Sequence, residues 1–204
     1  MDDADVEAVA RLHVACLPDS LVTTLGLGYA RSFYRYVTRS SREVIVTERD
    51  GSGRIVAAAV VTLDPASFNR RLALRTSLLL SLMTNATAMV ALWWSSRRAP
   101  LATRSVRGVL SGAEATPTDA ALPEMILIFT ARDARRQGRA AALVRSAERR
   151  LATLGIAEYQ VRTVLDPSNR ALDFYRDLKF VPSGTSVRLG TRFQRFTKRV
   201  DICS

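Results

Sequence analysis

Arg135-Arg136-Gln137-Gly138-Arg139-Ala140-Ala141 is the stretch whose residue types and spacing point most directly to chemistry. Before it, Glu124-Met-Ile-Leu-Ile-Phe-Thr-Ala131 is apolar, partly β-branched and too short for a typical helix, so it reads as a strand. After it, Ala141, Val144, Ala147, Leu151 and Leu154 recur at intervals of three or four residues, which predicts a helix over 138–154. Gly155 follows, where a left-handed residue closes a helix. A helix that begins at a glycine just behind a strand leaves backbone N–H groups without partners. Those groups and the helix dipole attract anions, phosphate above all. Gly138 and Ala140 leave room for close backbone approach, and Arg135, Arg136 and Arg139 add positive charge.

The elements that must position this loop can be followed along the chain. Residues 2–17 read as a helix that Asp2, Asp3 or Asp5 can cap, with Val6, Val9, Ala10, His13 and Leu17 on one face. Pro18 stops it. A second helix over about 25–38 turns Leu25, Tyr29, Phe33 and Val37 inward. Strands follow at 43–48 and 54–63, joined by the turn Asp50-Gly51-Ser52-Gly53. The second strand is apolar on both faces, which predicts a central strand covered from both sides. Beyond the core stretch come a strand over 158–165, a helix over 169–179 that Ser168 or Asn169 can cap, and a closing antiparallel hairpin that ends near Val200.

Composition bounds the rest. A chain of 204 residues with 48% hydrophobic and 24% charged residues suits one domain, 1–204, with a sizeable core. The net charge of +11 comes almost wholly from arginine and suits acidic partners. No helix-turn-helix or RNA-binding motif accompanies it, so no specific nucleic-acid partner is expected. Cys16 and Cys203 lie too far apart in sequence for a disulfide framework, and one histidine gives no Cys/His metal spacing, so no metal site is expected. His13, on an apolar helix face, reads as a packed residue rather than a catalytic base. The acidic N-terminus is no secretory signal, and a reducing cytoplasm fits best.

Arg135-x-x-Gly138-x-Ala140 resembles the pyrophosphate loop, (Gln/Arg)-x-x-Gly-x-(Gly/Ala), of the GNAT superfamily of acyl-CoA N-acyltransferases. Its surroundings resemble the family too: a strand before, a helix and strand after, then a short helix with Asn169 near its start and Tyr175 and Phe180 at its end. The resemblance is good over 124–180, loose over the first 65 residues, and says little about 66–122. It implies a mixed α/β (α+β) fold. In that fold a central, mostly antiparallel twisted sheet has a splayed parallel strand pair and helices on both faces. It implies acetyl-CoA as co-substrate, bound by Arg135, Arg136, Gly138, Arg139, Ala140 and Ala141. Ile128 would be the amide donor to the developing oxyanion, and Thr130 would pair with the pantetheine arm. Glu124, eleven residues before Arg135, would take the proton of the acceptor amine, and Tyr175 would protonate the departing thiolate. The bland readings are a strand-end charge for Glu124 and a core tyrosine for Tyr175. Three departures stand out. No first strand precedes the first helix. Asn169 stands six residues before Tyr175 where seven is commoner, which weakens it as a cofactor contact. Lys179 replaces the glycine of Gly-Phe, a position that often requires positive φ.

The function this implies is acetyl transfer from acetyl-CoA to the primary amine of a small-molecule acceptor, such as an amino sugar or nucleotide sugar, by direct attack. The alternative is a non-catalytic acyl-CoA-binding or membrane-associated interaction domain. Residues 66–113 hold seven arginines and no acid, with 21 uncharged residues between Arg75 and Arg97. They read as a helical insertion with one apolar face (Leu79, Leu82, Met89, Trp93), and 108–122 as a linker. The insertion joins strand 54–63 to strand 124–131, so it must emerge beside Glu124. Three readings follow for 70–107: a flap over the acceptor, a homodimer surface, or membrane-surface contact through its arginine flanks.

Overall fold

The computed structural model describes residues 1–75, 122–188 and 190–202. In chain order the elements are α1 (Asp3–Cys16), α2 (Leu21–Thr24), α3 (Leu27–Arg39), β1 (Glu43–Arg49), β2 (Ile55–Thr62) and α4 (Pro65–Arg75). Then come β3 (Glu124–Thr130), a 3₁₀ turn (Arg132–Ala134), α5 (Arg139–Thr153), β4 (Glu158–Val164), α6 (Ala171–Asp177), β5 (Val181–Arg188) and β6 (Thr191–Arg199). Among the described residues the order opens with a helix, as the missing first strand predicted. The apolar stretch after Arg75, most of the 70–107 segment and the linker before Leu122 lie outside the described residues.

β2 is buried at every position, and its alternate side chains enter two cores. Ala57, Ala59 and Val61 meet Leu143, Val144, Ala147 and Leu151 of α5 on one face. Ala58 and Val60 meet Val6, Val9 and Ala10 of α1 and Phe33, Tyr34 and Val37 of α3 on the other. The periodicity argument misplaced Leu154 and passed over Leu143 of α5. Leu154 is 44% exposed, because the helix ends one residue earlier and Leu154 is its C-cap, whereas Leu143 is fully buried. In α6 the buried pair is Leu172 and Tyr175, with Ala171, Phe174 and Leu178 only partly covered.

The six strands lie in the order β1-β2-β3-β4-β6-β5. All neighbours are antiparallel except β3 and β4. That parallel pair is joined over two register positions only, Glu124 with Gln160 and Met125 with Val161. β3 is also bulged. Val61 faces Met125 and Val60 faces Leu127, so Ile126 is the extra residue, and a bulge bends a strand and increases its twist. The sheet therefore opens into a cleft between β3 and β4 just beyond Glu124.

One row across the sheet is polar. Glu43, Thr62, Glu124, Gln160 and Thr197 are successive register partners, and the first four are buried. Arg71 of α4 reaches this row, donating to Glu43 Oε1 at 2.6 Å and to Asp64 Oδ2 at 2.7 Å. On the other side of Glu124, Gln160 Nε2 donates to Leu122 O at 3.4 Å and Gln160 N to Pro123 O at 2.8 Å.

Candidate active site

The loop 135–141 is an arch of backbone N–H groups. Arg136 and Gly138 both adopt the left-handed region, at φ 60° and 73°. Alternating left- and right-handed residues turn successive N–H groups to one side, the arrangement that makes an anion nest. α5 starts at Arg139, and Ala142 is the first of its residues whose N–H finds an intrahelical acceptor, Gly138 O at 2.9 Å. The N–H groups of Arg139, Ala140 and Ala141 thus lack one. A Cβ on Gly138 would meet no protein atom within 4 Å, so within the chain itself it is the φ of this position that calls for glycine. Its arms tie it to the β1–β2 hairpin: Arg54 Nη2 donates to Asp133 Oδ2 at 2.7 Å and Arg139 Nη1 to Arg49 O at 3.1 Å.

The edge of β3 that faces the cleft follows from one hydrogen bond. Ala131 N donates to Val56 O at 2.8 Å, toward β2. Alternation along the strand then turns the N–H and C=O of Ile128 and Thr130 toward β4, where the ladder has ended. Thr130 O accepts on that side from Arg135 Nε at 3.2 Å and from Cys16 Sγ at 3.4 Å.

Glu124 sits at the root of the cleft, 6% exposed, and is no strand-end surface charge. Arg162 of β4 holds both its oxygens: Nε donates to Oε1 at 2.8 Å, and Nη2 donates to Oε2. Sequence reasoning missed Arg162. The available signal was the alternation of β4, where Gln160 and Arg162 share one face while Tyr159 and Val161 enter the α5-side core.

Tyr175 is placed apart from these groups. Its ring packs in the α5-side core against Phe174 at 5.2 Å, Phe180 at 5.3 Å and Phe196 at 5.8 Å. Burial pushes its phenol up to about 12. Asn169 is engaged inside the chain. Its amide donates to Thr163 Oγ1 at 2.9 Å and Val164 O at 2.7 Å, and Oδ1 accepts from Ala171 N at 3.1 Å, so it caps α6 and ties that helix to β4. His13 is fully buried between Tyr34 Oη at 2.6 Å and Ser20 Oγ at 2.8 Å, and burial lowers its pKa to about 4. It is the packed helix residue that its apolar face suggested.

A six-stranded sheet splayed at its one parallel pair, with an anion nest at the following helix and a buried carboxylate at the root of the splay, has the layout of an acyl-CoA-dependent transferase. The family model described as the acetyltransferase (GNAT) family matches residues 8–180. The chain belongs to the GNAT acetyltransferase family and is an acyl-CoA-dependent N-acyltransferase with acetyl-CoA as co-substrate. Solved structures share the fold at low identity. The ribosomal-protein-S18-alanine N-acetyltransferase from Escherichia coli is 11% identical, with a TM-score of 0.56 over 100% of this chain and 93% of that one. A Corynebacterium glutamicum structure described as histone acetyltransferase HPA2 and related acetyltransferase is 16% identical, with a TM-score of 0.57 over 97% and 92%. Arabidopsis thaliana NAA60 in complex with acetyl-CoA is 11% identical, with a TM-score of 0.55 over 97% and 94%. No curated protein matches the chain.

Proposed function

We propose that the protein transfers an acetyl group from acetyl-CoA to the primary amine of a small-molecule acceptor by direct attack, with Glu124 as the general base. The observation that carries this reading is the position of Glu124: buried on β3 at the root of the β3–β4 splay, on the strand whose Ile128 and Thr130 amides turn into the same cleft. Acetyl-CoA supplies the activated acyl thioester. The nest at Arg136 and Gly138 and the first N–H groups of α5 fit a pyrophosphate, and Arg135, Arg136 and Arg139 add the countercharge. Ile128 N–H is the donor aimed at the thioester oxygen as negative charge builds there. Thr130 offers its backbone to the pantetheine amides.

Glu124 takes a proton from the amine, directly or through one water. Tyr175 is the proposed partner of the departing sulfur. Burial holds its phenol in the protonated form, and that O–H is the proposed donor to the developing thiolate. Asn169 contributes by fixing α6 to β4. A reducing cytoplasm is the compartment that goes with this reading.

A protein N-terminus is the competing acceptor class, since the Escherichia coli neighbour is described as acting on the alanine of a ribosomal protein. Release of free CoA thiol, followed across small amines and across peptides, separates the two. The expected result is turnover of a small amine that falls by about 10²-fold or more in Glu124→Gln, with CoA binding intact. Turnover of peptides alone, or full kcat in Glu124→Gln, overturns the proposal.

A further inference from the structure

Arg162 has one guanidinium nitrogen that nothing uses. Nε and Nη2 serve Glu124, whereas Nη1 is buried with no hydrogen-bond partner among the described residues. The side chain is 7% exposed. An unsatisfied buried donor costs about 1–3 kcal/mol, more when charged, which makes it an uncommon thing to leave without purpose. Arg162 also stands just past Val161, the last β4 residue paired to β3, and so on the β4 lip of the cleft.

We propose that Arg162 is the anchor for an anionic group on the acceptor, and that the acceptor is an amino carboxylate whose carboxylate docks on the Nη1–Nη2 end of the guanidinium. This rests on the reading of Glu124 as the base that faces the acceptor. A guanidinium offers two forks in one plane. Glu124 holds the Nε–Nη2 side, and the Nη1–Nη2 end remains for a second carboxylate, the two-point geometry that arginine recognises best. In an α- or β-amino acid the amine lies only two or three bonds from the carboxylate carbon. Docking the carboxylate on Arg162 then sets the amine against Glu124, where its proton has to go. The zwitterion lies head to tail along the Glu124–Arg162 pair, each of its charges beside the opposite one.

The test follows thiol release at saturating acetyl-CoA with matched triplets: each standard amino acid and β-alanine as the free acid, as its amide and as the amine without the carboxyl group. The expected result is a preference of about 10²-fold or more in kcat/KM for the free acid in at least one triplet, because the uncharged analogues leave Nη1 unpaired. Arg162→Lys, checked for folding by its melting curve and its CoA affinity, lowers turnover of all three members because Arg162 also holds Glu124, and lowers the free acid further, so that most of the preference is lost. Three results overturn the proposal: equal turnover of all members of every triplet, an equal loss on all three in Arg162→Lys, or no free acid that is either turned over or raises the melting temperature at millimolar concentration. The two readings fail separately. If Glu124→Gln keeps its kcat while Arg162→Lys abolishes the preference, the base assignment falls and the anchor stands. If Glu124→Gln loses kcat and no preference exists, the anchor falls alone.

Discussion

Helices α5 and α6 end in the same way with different residues, and that provides an internal control for backbone strain. At the end of α5, Ile156 N donates to Leu151 O at 3.0 Å and Gly155 N to Ala152 O at 2.9 Å. At the end of α6, Phe180 N donates to Tyr175 O at 3.0 Å and Lys179 N to Arg176 O at 2.9 Å. Both are Schellman motifs, and both place their C′ residue in the left-handed region, Gly155 at φ 71° and Lys179 at φ 65°. The left-handed conformation costs an L-residue about 1–2 kcal/mol, while glycine gives back roughly 0.5–1 kcal/mol through its more flexible unfolded chain. Lys179→Gly should therefore stabilise the protein by about 0.5–1 kcal/mol, which for a chain of this size raises the melting temperature by roughly 1–4 °C. Lys179 is exposed, so little packing is lost with its side chain. Gly155→Ala should move the other way by about 1 kcal/mol. A Cβ there meets nothing within 4 Å, so φ alone is responsible. Urea midpoints and thermal melts of the two variants measure both effects. If Lys179→Gly melts at or below wild type while Gly155→Ala loses stability, the lysine side chain outweighs the strain and the argument fails at 179. If both are neutral, it fails altogether.

Gly138→Asp puts a strained residue and a negative charge into the anion nest, and calorimetry should show CoA affinity reduced by about 10²-fold or more, in keeping with loss of a helix-terminus phosphate site; wild-type affinity would sink the loop assignment. Tyr175→Phe should lower kcat by about 10-fold with CoA binding nearly intact, and an unchanged kcat with chemistry rate-limiting would remove Tyr175 from the reaction. His13 binds its proton more weakly in the folded chain (about 4) than in the unfolded one (6.5), so acid favours unfolding across that interval and stability falls as pH drops through it. Between pH 7 and pH 5 the loss is about 2 kcal/mol, visible in urea midpoints; His13→Gln should lose much less over the same range, and an equal loss in that variant would assign the effect elsewhere.

What could be read from the residues was what is local or strictly periodic. Gly138 and Ala140 at a strand-to-helix junction, the doubly apolar β2 and the glycine-like position of Lys179 each announce a backbone requirement within a few residues. The faces of α1 and α3 were legible for the same reason, since Val6, Val9, Ala10, His13, Tyr29, Phe33 and Val37 all repeat at helical spacing and all are buried. Leu154 was misplaced because one residue of helix length decides whether a side chain rides inward. Arg162 was out of reach because its meaning depends on Glu124, 38 residues away, across a strand pairing only two positions long. The polar row from Glu43 to Thr197 is likewise a property of register across five strands, and no window of sequence contains it. Burial of Tyr175 on the α5 face was invisible for the related reason that Phe180 and Phe196 reach it from other elements.

The anchoring of α4 and of Leu122 has a consequence for how such a chain can diverge. Thr62 and Glu124 are cross-strand partners, Arg71 clamps α4 to Glu43 and Asp64, and Gln160 holds Leu122 and Pro123. The connection between β2 and β3 thus leaves and re-enters the sheet at adjacent, independently fastened points. Lengthening a chain between fixed ends adds only about 0.6 kcal/mol of closure entropy for each doubling. Insertions and deletions in this connection therefore cost the fold little, and the described ends of the connection both lie beside Glu124. The sheet can therefore keep its register while this one connection changes in length.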